Sequence, residues 1–484
     1  MSRSNRLLVT GTLAWLWVLP GSSAGAMEPT LDSADAGPEA AAAAAEPQTD
    51  RIIVKYREAA PGAAPERGPQ NAEAFSTDLG ISLEYVQTTG TDAQVLALPE
   101  PVSIGQAQAI AEQIAQDPNV QYAEPDAVMQ IQQVSDERFG EQWHYSEAGT
   151  GINLEAGWQY ATGGGAIVAV IDTGVVPHED IDAQLLPGHD FISDVAAAND
   201  GDGRDADASD PGDWCPPLRP TSSWHGLHVA GTIAAITDNK LGVAGIARDA
   251  KILPIRVLGK CGGFLSDISD GMLWAAGIHV DGVPDNPNPA RVLNLSLGGP
   301  GACGPTYSDA IRRIRDLGVA VVVAAGNSDS DASGFRPANC DGVITVAATN
   351  RQGGRAFFGR PGAGSNFGAM VEIAAPGGET RPNSVNGILS TLNEGLTTPA
   401  AAAYEFYQGT SMAAPHVAGV VGLLYGANPA ITPDEAVSVL QQTSQPFPVV
   451  AVRPCSTSEC GAGIVDAGAA VSSTLKTARS SAAQ

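Results

Sequence analysis

The sequence Ile167-Val-Ala-Val-Ile-Asp-Thr-Gly174 contains an uninterrupted apolar run that ends at Asp172. Similar short apolar runs recur further along the chain, at 291–297, 319–325, 343–348 and 370–374. Runs of this kind, separated by helical stretches, are typical of parallel strands that are buried on both faces of a sheet. From position 134 onward the sequence therefore predicts an α/β fold with a mostly parallel sheet. Functional residues are expected at the carboxyl ends of its strands.

Three side chains that could form a catalytic triad occur in well-marked surroundings. Asp172 follows a buried strand, His225 opens the sequence His-Gly-Leu-His-Val-Ala-Gly-Thr, and Ser411 lies within Gly-Thr-Ser-Met-Ala-Ala-Pro-His-Val-Ala-Gly. A serine hydroxyl is a poor nucleophile unless a base removes its proton, and a histidine oriented by an aspartate is such a base. Any one of these residues alone has an ordinary structural explanation. Their chain order, Asp, His, Ser, is one of the known triad orders.

These three segments, together with Val-Val-Val-Ala-Ala-Gly-Asn at 321–327, resemble the active-site signatures of the subtilisin-like serine peptidases, or subtilases. The resemblance extends from about position 142 to 466. It implies a three-layer αβα domain and hydrolysis of peptide bonds through an acyl-enzyme intermediate. It assigns the oxyanion donor to Asn327. One departure is Leu227, where the family usually has threonine.

Other residues are expected to bind the substrate. Ser296, Leu297 and Gly298 resemble the family's cleft strand, which pairs with an extended peptide. Ala325 and Gly326 are expected near the pocket floor, where small residues leave room for a side chain.

The first 133 residues divide into three regions. Residues 1–26 have a basic start, a short apolar core and an Ala-Gly-Ala end, which predicts a secretory signal peptide. Residues 27–50 are rich in Ala, Glu, Asp and Pro and predict a disordered linker. Residues 51–133 predict a small α+β module with a helix capped at Ser103, which resembles the family's inhibitory propeptide. A permanent binding domain is the alternative. The peptidase domain is expected at 134–470 and a tail at 471–484.

The charge composition indicates which classes of binding partner are unfavourable. The net charge of -27 argues against nucleic acid and anionic membranes. We expect an extracellular monomer without a membrane span that acts on proteins or peptides and is inhibited by its own propeptide.

The six cysteines fit complete pairing in an oxidising compartment. Six cysteines allow 15 connectivities. Proximity favours Cys455–Cys460. Cys303–Cys340 would join the two regions that flank the segment 321–327, and Cys215–Cys261 would bracket the helix that begins at His225.

Two segments suggest structural calcium. The acidic stretch 199–213 contains six carboxylates, five of them candidate ligands, although a merely solvated acidic loop is nearly as good an explanation. Its candidate ligands are Asp202, Asp205, Asp207, Asp210 and Asp213. The second segment, 238–245, resembles the family's calcium loop. That resemblance nominates Gln142, Asp180, Asn239, Leu241 and Val243.

These patterns together predict a secreted, calcium-stabilised serine endopeptidase that is matured by cleavage near 130–136. Two alternatives remain: a catalytically inactive scaffold that acts as a binding protein, and a processing protease with narrow specificity.

Overall fold

The computed structural model describes residues 48–57, 72–73, 75–77, 80–127 and 134–482, the last four by their backbone alone. The predicted signal peptide, most of the predicted linker and the expected maturation region at 130–133 lie outside the described residues. The chain divides into two compact units, Met1–Ile131 and Gln132–Gln484.

The first unit is a four-stranded antiparallel sheet with a helix packed on it. The strand order is β2-β3-β1-β4. The elements are β1 (Gln48–Tyr56), β2 (Glu84–Thr88), β3 (Gln94–Ser103), α1 (Ile104–Ile114) and β4 (Val120–Pro125). Helix α1 begins at the predicted capping box, in which the Ser103 hydroxyl accepts a hydrogen bond from the Gln106 amide. Residues 48–50 belong to β1, although they were assigned to the linker by composition.

The second unit contains the predicted parallel sheet, with seven strands in the order β15-β12-β10-β8-β5-β7-β6. All neighbouring pairs are parallel. The strands are β5 (Ile167–Asp172), β6 (His189–Asp190), β7 (Lys251–Arg256), β8 (Val292–Leu295), β10 (Ala320–Ala324), β12 (Ile344–Thr349) and β15 (Ile373–Pro376).

Three two-stranded sheets lie around the seven-stranded sheet. Their strands are β9 (Gly299–Pro300) with β11 (Phe335–Arg336), β13 (Phe357–Arg360) with β14 (Ala363–Gly364), and β16 (Ile388–Asn393) with β17 (Ala402–Tyr407). The helices of this unit are α2 (Trp143–Ser146), α3 (Leu154–Trp158), α4 (Val195–Ala198), α5 (His225–Ala234), α6 (Leu265–Ala275), α7 (Gly304–Asp316), α8 (Thr410–Ala427), α9 (Pro433–Thr443) and α10 (Ala467–Ala482).

Helices cover both faces of the large sheet, because its strands carry apolar side chains in both directions. In β5, Val168 and Val170 join the core beneath α5 and α8, whereas Ala169 and Ile171 join the core beneath α6 and α7. The alternation follows from the period of two along a strand. The predicted three-layer architecture is therefore confirmed.

The cysteines of the described residues pair as the sequence suggested. The disulfides are Cys215–Cys261, Cys303–Cys340 and Cys455–Cys460. Within the described ranges, no helix combines the length and apolarity needed to cross a bilayer.

Candidate active site

Asp172 and His225 are held together at the carboxyl edge of the sheet. Asp172 is the last residue of β5 and His225 the first of α5. The His225 Nδ1 lies 2.8 Å from Oδ1 of Asp172 and 3.0 Å from Oδ2. The Thr173 amide donates to the same Oδ1 at 2.8 Å. The Asp172 side chain has no exposed surface, whereas about 20% of the His225 side chain is exposed. The hydrogen bonds to Asp172 orient the imidazole ring, and its exposed part is accessible to solvent.

Two glycines allow this pairing. A Cβ placed on Gly226 would lie 2.3 Å from the carbonyl oxygen of Gly174, so only glycine lets the start of α5 approach the end of β5. The Gly226 amide donates to the Thr173 hydroxyl at 3.0 Å and ties the two segments together.

The electrostatic surroundings favour a basic imidazole. Burial lowers the pKa of His225, but the charge of Asp172 and its hydrogen bond act in the opposite direction and outweigh that effect. The pKa of His225 is therefore raised above its ordinary value of 6.5.

Ser411 is the second residue of α8, behind Gly409, whose φ is +146°. Amides in the first turn of a helix have no intrahelical partner, which makes the Ser411 N–H available as a donor. In the described part of the chain, the Ser411 hydroxyl donates to the carbonyl oxygen of Ser296 at 3.1 Å and not to His225.

Pro415 interrupts the hydrogen bonding of α8 next to this serine. A proline has no N–H, so the helical bond to the carbonyl four residues earlier, that of Ser411, is missing. The Ser296 hydroxyl donates to that carbonyl instead, at 2.8 Å. Ser296 directly follows β8, and the exchange therefore fixes the start of α8 against the sheet.

Asn327 follows β10 and lies beside the same helix start. Its Oδ1 accepts hydrogen bonds from the amide and from the hydroxyl of Thr410, both at 2.9 Å. The opposite end of this side chain, Nδ2, is thereby turned away from Thr410, and Asn327 is exposed. Asp172, Ser296 and Asn327 thus lie at the ends of the neighbouring strands β5, β8 and β10.

A cavity of about 670 Å³ opens beside His225. Its lining includes Ser296, Leu297 and Gly298, which were predicted to bind substrate. Ala325 and Gly326, predicted near the pocket floor, do not line it. Ala325 is fully buried, and the Gly326 amide donates to the Thr410 hydroxyl at 3.1 Å.

One wall of this cavity was not predicted from the sequence. It is formed by the segment 213–219 and the turn 258–263, joined by Cys215–Cys261, and Arg336 lies on the lining as well. The favoured Cys215–Cys261 pairing was the one signal that could have placed this wall next to the histidine helix.

Three further histidines are packed beneath the site. His416 Nδ1 contacts the Met412 carbonyl oxygen at 2.7 Å, and its Nε2 lies 2.8 Å from Nδ1 of His144. His228 stacks on the ring of Tyr407 with centroids 4.6 Å apart. Burial lowers the pKa of His416 to about 4 and that of His228 to about 3, so all of these rings are neutral near pH 7.

The five candidate carboxylates of the acidic segment do not line one cavity. Asp205, Asp207 and Asp210 line a cavity of about 520 Å³, but Asp202 and Asp213 are not on its lining. Asp213 is bound to Ser223, through both its amide and its hydroxyl. Among the described residues, no group of three or more His, Cys, Asp or Glu side chains is arranged to hold a metal ion.

Two arginines, the buried Arg256 and the half-buried Arg204, pair with carboxylates in and beside this segment. Arg256 has no exposed surface and pairs with Asp190 and Asp200. Arg204 pairs with Asp267 at 2.6 Å and with Asp270 at 2.7 Å. Within 199–213, Asp200 pairs with Arg256 and Asp213 with Arg219, whereas among the described residues Asp202, Asp205, Asp207 and Asp210 form no ion pair.

The second calcium candidate is more compact. Asp180 is fully buried and accepts hydrogen bonds from Nδ2 of Asn239 at 2.6 Å and from the Val243 amide at 3.0 Å. The Leu241 amide donates to Oδ1 of Asn239 at 2.8 Å. Gln142, also buried, bonds to both the amide and the carbonyl of the adjacent Ala244.

Comparisons with known proteins identify a family and several relatives of this chain. A model of the Subtilase family (Peptidase S8) matches residues 163–468. An "Extracellular protease" of Xanthomonas campestris pv. campestris is 44% identical over 88% of this chain and 73% of the relative. An "Extracellular basic protease" of Dichelobacter nodosus is 41% identical over 88% of this chain and 70% of the relative. A solved protease structure from Pseudoalteromonas arctica has 49% identity and a TM-score of 0.67, and covers 71% of this chain and 100% of its own.

Proposed function

The chain belongs to the subtilase family, and we propose that it is a secreted serine endopeptidase with Asp172, His225 and Ser411 as its triad. The observation that carries this proposal is the hydrogen-bonded pair of Asp172 and His225, with the half-buried Ser411 in the first turn of α8, a helix that packs on α5. The pairing of a buried carboxylate with a half-buried imidazole is what a general base in a triad requires.

In this mechanism His225 takes the proton of the Ser411 hydroxyl while the oxygen attacks the substrate carbonyl. Asp172 holds the ring in the tautomer that leaves Nε2 free and stabilises the imidazolium that forms. The hydroxyl must turn from Ser296 to His225 when substrate binds, a rotation about one bond. His225 then gives the proton to the leaving amine, and water hydrolyses the acyl-enzyme by the same steps.

Two donors are in position for the oxyanion. The Ser411 N–H lies in the unpaired first turn of α8, and Nδ2 of Asn327 points away from Thr410. Loss of one such donor costs roughly a hundred- to thousand-fold in rate, a factor taken from subtilisin, which belongs to the same family.

The first unit would act as the inhibitory propeptide, preceded by a signal peptide at 1–26 and a linker. Its support is its compact α+β core, separate from the catalytic unit, and its position before the expected cleavage region. The "Extracellular" names of the relatives support secretion.

Structural calcium is proposed at Asp180. Within the described residues no cationic side chain pairs with this buried carboxylate, although a buried charge is costly without one. Oxygen atoms of Asp180, Asn239, Gln142 and the carbonyls of Leu241 and Val243 are the hard ligands that Ca²⁺ prefers. A bound cation would stabilise the folded chain and takes no part in the reaction.

A serine-directed fluorophosphonate tests the nucleophile. The wild-type protein should be labelled, with the label mapped to Ser411 by peptide mass, and should hydrolyse casein. Ser411→Ala should fold, keep the first unit uncleaved, and lose both labelling and hydrolysis. Ser330→Ala, which removes an exposed hydroxyl, is the matched control. A folded wild-type protein that takes up no label would favour the binding-protein alternative.

A further inference from the structure

The cavity beside His225 contains an arginine that the mechanism does not use. Arg336, the last residue of β11, is half-buried on the cavity lining. Within the described part of the chain, its guanidinium group forms no ion pair and no hydrogen bond.

The backbone fixes where this side chain lies. Strand β11 pairs with β9, with Arg336 opposite Gly299, and β9 continues directly from the segment 296–298. Gly301 follows with a φ of +130°, and a Cβ there would lie 3.5 Å from Nε of Arg336. The guanidinium group therefore crosses the end of β9, next to the segment that is proposed to pair with the substrate.

The other charges on the lining compensate one another. Asp213 and Arg219 form an ion pair at 2.7 Å, and Asp213 is further bound by Ser223. Asp213 is the only carboxylate among the described residues that line the cavity. Arg336 is thus a cation without a counter-ion, although the whole chain has a net charge of -27.

The rest of the lining is largely apolar. Its aliphatic residues are Leu218, Leu258, Leu265, Ile268 and Leu297. A substrate side chain that enters this cavity can therefore pack its methylene groups against aliphatic residues while its end lies near the positive charge of Arg336.

We propose that Arg336 makes the cavity select a substrate residue with a carboxylate side chain, glutamate above all. The inference rests on the proposed peptidase function. An extended peptide paired along 296–298 directs alternate side chains to one side, and one of them would enter the cavity. Because Arg336 is half-buried, the preference for Glu over Gln should be about two- to fivefold, the size of a partly exposed ion pair.

The test is cleavage of a peptide library in which each position carries Glu, Gln or Lys in turn. In the wild type, one position should show a Glu:Gln ratio of kcat/KM of about two to five, which falls towards one in about 1 M salt. Arg336→Lys should retain the ratio in part, Arg336→Gln should abolish it, and Arg336→Glu should turn it towards Lys. Arg313→Gln is the matched control, because Arg313 is exposed on α7 and absent from the cavity lining.

Melting midpoints show whether each variant has folded. Should Arg336→Glu fail to fold, the comparison of Arg336→Lys with Arg336→Gln decides the matter. The proposal is overturned when active wild-type enzyme shows no Glu preference at any position, or when Arg336→Gln keeps the ratio of the Arg313→Gln control. Failure of the wild type to cleave any peptide is a different result, which would refute the peptidase function itself and this inference with it.

Discussion

The hydroxyl of Ser296 donates to the backbone carbonyl of Ser411 at 2.8 Å, in place of the amide that Pro415 lacks. One side chain at the end of β8 thereby satisfies the carbonyl of the proposed nucleophile. A buried carbonyl without a partner costs about 1–3 kcal/mol, so the bond also positions the start of α8.

Ser296→Ala should therefore lower both stability and turnover. We expect a loss of about 1–3 kcal/mol in the free energy of unfolding. Because Ser411 would be held less firmly, we also expect about a tenfold fall in kcat. Thr474→Val, which removes another buried hydroxyl bonded to a helical carbonyl, is the control and should lower stability alone. Unfolding curves and peptide hydrolysis measure the two effects, and an unchanged kcat in Ser296→Ala would contradict the positioning role.

The pH dependence of activity should report on His225. The base must be neutral, and its pKa is raised, so kcat/KM should rise with pH through a midpoint above 6.5. In Asp172→Asn the attraction that raises the pKa is lost, and the midpoint should move to lower pH. The rate should fall by about ten-thousandfold, because the wrong tautomer is favoured. Asp249→Asn, at an exposed position, should leave the profile unchanged. A midpoint in Asp172→Asn at or above that of the wild type would contradict the assignment.

The buried histidines should make the fold sensitive to acid. The pKa of His416 is about 4 in the folded chain and about 6.5 when unfolded, so the unfolded chain binds more protons between these values. The stability that depends on neutral His416 is complete above pH 6.5 and is lost as the pH falls towards 4. From pH 7 to pH 5 the loss should be about 2 kcal/mol.

A comparison of variants isolates the contribution of His416 to the pH dependence of stability. It is needed because other buried groups contribute a pH dependence of the opposite sign. Burial raises the pKa of Glu372 to about 7, so its contribution is present at low pH and is lost as the pH rises through 7. In denaturant titrations at both pH values, His416→Gln should lose less stability on acidification than the wild type. In His279→Gln, at an exposed histidine whose pKa is raised by its hydrogen bond to Asp285, the loss on acidification should not be smaller than in the wild type. Equal losses in the wild type and His416→Gln would refute the prediction.

Removal of calcium should destabilise the wild type. A cation bound only by the folded chain, at about a hundred times its Kd, contributes about 2.7 kcal/mol. EDTA should therefore lower the melting midpoint and added Ca²⁺ restore it. In Asp180→Asn the buried charge is gone, so the midpoint should no longer respond to either addition. Asp202→Asn, in the exposed part of the acidic segment, should respond as the wild type does. A wild-type midpoint that ignores EDTA would exclude the Asp180 site.

Local patterns were sufficient to predict the sheet and to select the residues at its edge. The apolar side chains that precede Asp172 point alternately into the two cores. The length of this apolar run and the residue at which it stops can both be read from the sequence. The capping box at Ser103 was also predictable, because it depends on short-range chemistry. Proximity favoured only the Cys455–Cys460 pair, and the pairing of the other four cysteines became definite with the fold.

Long-range partners were not predictable in the same way. In the acidic segment, Asp200 pairs with Arg256, which lies 56 residues away in sequence, and no local pattern indicates this partner. The exchange between Ser296 and Ser411 spans 115 residues and depends on a missing amide at Pro415. Composition counts charges and hydroxyls, but only the fold shows which of them are already paired.

The Cys215–Cys261 bridge has a consequence for when the enzyme can recognise a substrate. Both halves of this bridge belong to the wall beside His225, whereas the proposed triad contains no cysteine. Chemistry and recognition therefore depend on different events: the triad needs only the folded sheet, but the wall is covalently joined only after two thiols have been oxidised. In a reducing compartment the residues of the proposed triad would be in place, whereas the two segments of the cavity wall would not be covalently joined. Oxidation of Cys215 and Cys261 therefore constrains the wall of the cavity and adds no covalent constraint to the proposed triad.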